Sequence, residues 1–140
     1  MGLMHFLQRR QVYREVVVRI GSYALKAELS DTFVKRMIGL MYRDGLEKDH
    51  CMLFDFHREE KYGIWMHNMR FPIDVLWVGS NMQIVDMLAF AKRCGNIVRC
   101  KTYKPSEPAR YVIELPSGYI TEKGIAAGMR ISIEGIEENK

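Results

Sequence analysis

The chain is 140 residues long, 48% hydrophobic and 27% charged. That is the make-up of one soluble globular domain, large enough to bury roughly two-thirds of its unfolded surface without disulfides or metals. Its apolar runs are too short for a membrane-spanning helix, and a net charge of +4, with acids and bases interspersed, leaves no chain-wide basic surface.

Residues 1–11 read as a poorly ordered arm or a short extra element, and residues 12–140 as a single globular β domain. Apolar residues precede Arg9 and Arg10, which reverses the charge order of a secretory signal. The three cysteines, Cys51, Cys94 and Cys100, form an odd set without a Cys-x-x-Cys pair, which suits a reducing compartment better than a disulfide framework. The expected location is cytoplasmic.

Val16, Val18 and Ile20 alternate, Gly21-Ser22 turns the chain, and Tyr23, Leu25, Ala27 and Leu29 continue on one face, which predicts a β-hairpin. Ser30 or Asp31 then offers an N-cap to a short amphipathic helix carrying Phe33, Val34, Met37, Ile38, Leu40 and Met41. Gly39 weakens helix propensity on that apolar face, so it is expected to admit another backbone close by. Met37 and Met41 read as core filling, because no Cys or His shares their spacing. Cys51 to Phe56 reads as a buried strand, His57 to Lys61 as a charged connector, and Tyr62 to Met66 as a further strand.

Ile73 to Val78 and Met82 to Phe90 are expected to pair across Gly79-Ser80-Asn81. After a long irregular crossing, Arg110 to Leu115 alternates as a strand and Pro116-Ser117-Gly118 turns the chain. Tyr119 to Ala127 follows as a helical turn and Met129 to Ile133 as a last strand. Many short strands without repeated strand–helix alternation predict a mainly β (α+β) fold, a compact antiparallel β-sandwich or barrel, jelly-roll-like, with one or two short helices. An unpaired edge such as the last strand leaves a monomer or a weak homodimer as the expected states.

Chemistry concentrates in Ile64 to Val78, which holds both tryptophans, a proline and a carboxylate. His67 to Pro72 is the corner between two strand-like runs, and it sets Asn68 and Asp74 beside large aromatic rings. Polar groups in apolar surroundings suit a small-ligand pocket, and they suit a self-satisfied structural turn equally.

The ordered set Gly39-Leu40-Met41, Met52-Leu53-Phe54, Trp65-Met66-x-Asn68, Pro72-Ile73-Asp74 and Val112-Ile113-Glu114-Leu115-Pro116-x-Gly118 resembles the pattern of the domain-of-unknown-function 192 family. The resemblance runs from about Val16 to about Ile133. It implies a compact mainly β domain and carries no assigned activity. It marks Gly39, Leu40, Met41, Arg43, Trp65, Met66, Asn68, Pro72, Asp74, Glu114 and Gly118 as matching positions. Three residues depart from it: Cys51 stands where the family has glycine, Met69 where it has threonine, and Met129 where it has aspartate.

The first functional reading is a small-ligand-binding or accessory module for an unidentified small molecule or peptide, with its pocket at the Trp65 to Asp74 corner. Trp65 would be an aromatic wall with Met66 and Pro72 beside it, Asn68 a donor and acceptor, and Asp74 an acceptor, with Arg43 or Glu114 near the mouth. In the structural alternative Asn68 caps the corner's backbone, while Asp74 accepts N–H bonds from the same corner or pairs with Arg43. A hydrolase built from Cys51, His67 and Asp74 is disfavoured, because Cys51 lies in an apolar strand and replaces the family's glycine; Asp74 with Glu114 would be a second enzymatic pairing. His50, Cys51, His57 and His67 lack metal-ligand spacing, and no cofactor is expected. Nucleic-acid binding would rest on Lys92 to Lys104, a run without a carboxylate in which Tyr103 is the lone aromatic, so a solvated loop is the simpler reading.

Overall fold

The computed structural model describes residues 2–95 and 99–135. Residues 3–10, expected as an arm or extra element, form helix α1 (Leu3–Arg10), which sets the His5 ring against Tyr42 at 4.7 Å between centroids. Strands β1 (Arg14–Ile20) and β2 (Tyr23–Ser30) pair antiparallel across Gly21-Ser22, as their alternation predicts. Helix α2 (Phe33–Ile38) starts one residue later than expected: Thr32 Oγ1 accepts from the Lys35 N–H at 3.2 Å, whereas Ser30 still belongs to β2. It stops at Ile38 because Gly39 turns to φ +52°, so Gly39 ends the helix and does not lie within it.

Strand β3 (His50–Glu60) runs parallel to β2, with α2 inside the crossover between them. It also takes in His57 to Glu60, expected as a connector. A register shift between Asp55 and Glu60 lets the strand continue, and the buried Asp55 carboxylate accepts from the His57 N–H at 2.8 Å and from the Arg110 guanidinium at 3.1 and 3.2 Å. The remaining elements are β4 (Ile64–Trp65), β5 (Ile73–Val78), β6 (Ile84–Ala91), β7 (Thr102–Tyr103), β8 (Ala109–Pro116), α3 (Tyr119–Lys123) and β9 (Ile131–Glu134). β4 and β7 form a small ribbon of their own.

The seven long strands make one sheet in the order β6-β5-β8-β3-β2-β1-β9, antiparallel throughout except β2–β3. The sheet curls until its two edges meet. Gln83 bridges Arg130, the Ile84 N–H donates to the Met129 carbonyl at 2.9 Å, and the Ile131 N–H donates to the Met82 carbonyl at 2.8 Å. The fold is a half-closed barrel, which covers part of the β9 edge.

Strands β3, β5 and β8 are buried on both faces, which is why they read as continuous apolar runs. Cys51, Leu53, Leu76, Val78, Ile113 and Leu115 point into the barrel with the hairpin residues. Met52, Phe54, Val75, Trp77 and Val112 pack outward under Leu40, Met66 and Met69. Glu114 pairs in register with Met52 and Val75 and so joins the outward set.

The cysteine expectation is corrected. Cys94 and Cys100 are joined in a disulfide, and Cys51 is free and buried. Disulfides persist where conditions are oxidising, so the cysteines no longer argue for a reducing cytoplasm. No helix among the described residues is long and apolar enough to cross a membrane.

Candidate functional site

The outer layer is incomplete. Between α2, the β4 ribbon and the corner at residues 67–72, the outward faces of β3 and β8 lie open as a groove of about 680 Å³. Phe33 and Met37 come from α2, Phe54 and Phe56 from β3, Trp65 from β4, and His67, Asn68 and Met69 from the corner. Glu114 and Val112 come from β8. Trp65 is 50% exposed and stands at the rim with its ring 4.9 Å from that of His67.

Glu114 is the buried polar group of the wall. It is only 6% exposed, and no described protein group hydrogen-bonds or pairs with its carboxyl. Burial pushes its pKa up to about 8, against the opposing charge of Arg43. Gly39 makes room for it: a Cβ there would sit 3.2 Å from Phe54 Cζ and 3.5 Å from Glu114 Oε1. The close approach expected at Gly39 is therefore by two side chains, not by a backbone.

Arg43 does not line the groove. Its guanidinium forms a two-pronged pair with Glu28, Nη2 to Oε2 at 3.0 Å, and lies 5.1 Å from the Tyr13 ring centroid. Asn68 holds φ +60°, a conformation Asn tolerates better than most residues, and its carbonyl accepts from the Tyr42 N–H at 3.0 Å. Its side-chain nitrogen contacts only Met41 Sδ, at 3.9 Å, so it does not cap the corner. Met66 is buried behind the corner, where its carbonyl accepts from the Met69 and Cys94 N–H groups. Pro72 is exposed and outside the groove.

Asp74 is fully buried, and it faces away from the groove. It pairs in register with Leu115, an inward residue. Its Oδ1 accepts from the Phe90 N–H at 2.9 Å and the Gly118 N–H at 3.2 Å, and its Oδ2 accepts from the Ile120 N–H at 2.8 Å. These partners belong to β6, the turn after β8 and α3, so the corner and Arg43, expected as its partners, are not.

The DUF192 family profile, a family of uncharacterised proteins, matches residues 16–133. The chain belongs to the DUF192 family. A UPF0127 protein of Thermococcus gammatolerans is 34% identical over 115 residues, covering 81% of this chain and 69% of that protein. A UPF0127 protein of Pyrococcus furiosus is 28% identical over 109 residues, covering 76% and 85%. Among solved structures, a Sinorhizobium meliloti protein described as a candidate transcription regulator superposes with a TM-score of 0.78 at 30% identity, covering 88% of this chain and 96% of its own. A Novosphingobium aromaticivorans protein of unknown function shares the fold, with a TM-score of 0.75 at 24% identity over 86% and 84% of the two chains.

Of the positions that match the DUF192 pattern, Gly39, Leu40, Met41, Trp65, Asn68 and Glu114 gather at the groove, and Phe54 of the Met-Leu-Phe triplet joins them. Cys51 faces the barrel interior with its thiol pKa pushed up by burial, whereas His67 lines the outer groove, so a Cys51–His67 pair is not assembled. Sequence reasoning passes over Phe33, Met37 and Phe56 as wall residues. Their one signal is a position on an apolar helix face or a strand alternation, which core residues share. Two further neighbours depend on contacts distant in sequence. Arg36 donates to the Asp55 carbonyl at 3.1 Å and lies over the Phe56 ring, and Cys100 of the disulfide sits 3.8 Å from His67 Nδ1.

Proposed function

We propose that this DUF192 chain is a binding module for a ligand that is apolar along most of its length and polar at one end, seated between Phe54, Phe56 and Trp65. The observation that carries this reading is Glu114. A carboxyl group with so little exposure and no protein partner among the described residues takes its hydrogen bonds from whatever fills the groove, water or ligand. The walls around it are aromatic and methionine-rich, as in pockets that bury most of a small ligand. Several of them, Phe33, Met37 and Trp65, remain exposed.

The test uses the fluorescence of N-phenyl-1-naphthylamine, an uncharged apolar probe. Saturable enhancement with about one site per chain is expected, and Trp65→Ala weakens it roughly tenfold while leaving the half-exposed position's contribution to stability small. Enhancement that never saturates, or that ignores Trp65→Ala, overturns the reading.

A second reading is nucleic-acid binding. Lys92, Arg93, Arg99, Lys101 and Lys104 are exposed, and no ion pair among the described residues engages them. Residues 96–98 of that segment lie outside the described residues. The Sinorhizobium relative's description as a candidate transcription regulator points the same way. Binding to duplex DNA that falls steeply with salt would favour it, whereas the groove ligand would be nearly salt-insensitive.

A further inference from the structure

We propose that the polar end of the ligand is a protonated amine, an alkyl- or arylalkylammonium group, held by the Glu114 carboxylate within reach of the Phe54 and Trp65 rings. This rests on the groove being a ligand site, and it names the chemical class the groove selects.

Four polar side chains line the groove: Arg36, His67, Asn68 and Glu114. Arg36 is engaged with the Asp55 carbonyl and the Phe56 ring, and His67 stands at the rim against Trp65 and the disulfide. What remains is the Glu114 carboxyl and the Asn68 amide oxygen, which accepts no hydrogen bond from a described residue. An ammonium donor can pair with both once Glu114 gives up its proton, whereas an anionic head cannot form that ion pair.

Aromatic faces attract cations through their negative quadrupole, and the thioethers of Met37, Met41 and Met69 are polarizable. A groove for an uncharged apolar molecule needs no carboxyl at its wall.

Arg43, from the loop after α2, is the cation acting on Glu114, and it is already neutralised by Glu28 of β2. β3 and β5 present Met52 and Val75 to Glu114 in register, β3 adds the Phe54 ring, and α2 and the corner line the same groove with His67 and with Arg36, whose charge no carboxylate among the described residues pairs. An ammonium entering the groove therefore meets one carboxyl group, protonated while the groove is empty. Binding transfers that proton to solvent: the Glu114 O–H bond breaks, the oxygen keeps the electron pair, and an ammonium–carboxylate pair replaces a neutral acid.

The experiment follows the intrinsic tryptophan fluorescence of the full chain, in which Trp65 reports on the groove and Trp77, buried with its Nε1 donating to the Tyr62 carbonyl, is the constant background. The probes at pH 7 are n-octylamine, octan-1-ol and octanoate, matched in chain length. An alkylamine titrates much as lysine does, near 10.4, so it enters as the cation. The amine is expected to bind roughly tenfold or more tightly than the alcohol, with octanoate weakest. Calorimetry in two buffers of different protonation enthalpy should show close to one proton released per amine and none per alcohol. Glu114→Gln should lose both the preference for amine over alcohol and the proton release. Equal affinity for amine and alcohol, or binding without proton release, overturns the inference while the groove reading stands. Failure of all three probes to saturate the signal overturns both. The proton count on the unaltered protein keeps the test decisive even where the variant folds poorly.

Discussion

Asp74→Asn is the substitution whose cost can be worked out most directly from the structure. One carboxylate joins three segments far apart in sequence, through the N–H groups of Phe90, Gly118 and Ile120. Helix α3 has five residues, too few to hold itself, so this tie is what fixes its first turn against the barrel. Asparagine keeps one oxygen for Phe90 and Gly118 but turns an NH2 group toward the Ile120 N–H, where two donors then face each other across 2.8 Å. A hydrogen bond to a charged group contributes about 1.5–3 kcal/mol, and an orphaned buried donor adds to its loss, so a destabilisation of roughly 2–3 kcal/mol is expected. With a urea slope of about 1–3 kcal/mol per molar, the midpoint should fall by roughly 1–2 M at unchanged slope. An unmoved midpoint refutes the assignment of Asp74 as the tie. So does loss of probe binding at unchanged stability, because Asp74 faces away from the groove.

Two more expectations concern the wall and the rim of the groove. In the folded protein Glu114 titrates near 8, above the value of about 4.3 for an unfolded chain. Its proton is therefore kept on folding across that interval, and its contribution is complete below the lower value and lost as pH rises toward the upper one. Urea midpoints between pH 5 and pH 8.5 should decline more steeply for the unaltered protein than for Glu114→Gln, by up to about 1.4 kcal/mol per pH unit; parallel profiles would refute the shift. The Cys94–Cys100 disulfide closes a loop with a sequence separation of 6, and loop-closure entropy for so short a loop amounts to about 2 kcal/mol. A Cys94→Ser, Cys100→Ser double variant should lose about that much in urea, and a midpoint equal to that of the oxidised protein would show that the link does not constrain the chain.

The hairpins are legible in the sequence because alternation and turn residues are local signals: Val16, Val18 and Ile20 against Leu25 and Ala27 state their own register. The parallel pairing of β3 with β2 is not, since nothing in His50 to Glu60 names its neighbour, and the continuation of β3 past Asp55 depends on a bulge supported by Arg110, 55 residues away. The disulfide escapes a spacing argument for a similar reason. Cys94 and Cys100 can bond because the loop brings their Cα atoms to 5.7 Å, a fact of three dimensions.

Asp74 and Glu114 show most clearly where sequence reasoning about the site stops. Both are acids in doubly buried strands, both match the family pattern, and sequence alone places both in one site. Whether they share a face depends on the pairing of β5 with β8, which sets Asp74 opposite Leu115 and Val75 opposite Glu114. A slip of one residue would put the two carboxyls on the same side. In the register observed, Asp74 turns into the barrel, where backbone N–H groups use both its oxygens, and Glu114 turns into the groove, where no described group uses either. Burial is comparable for the two, so burial cannot distinguish structure from function here, and hydrogen-bond satisfaction can. The fold explains why Asp74 must be a carboxylate; for Glu114 no described group is a partner, and its hydrogen bonds fall to whatever occupies the groove, water or a ligand.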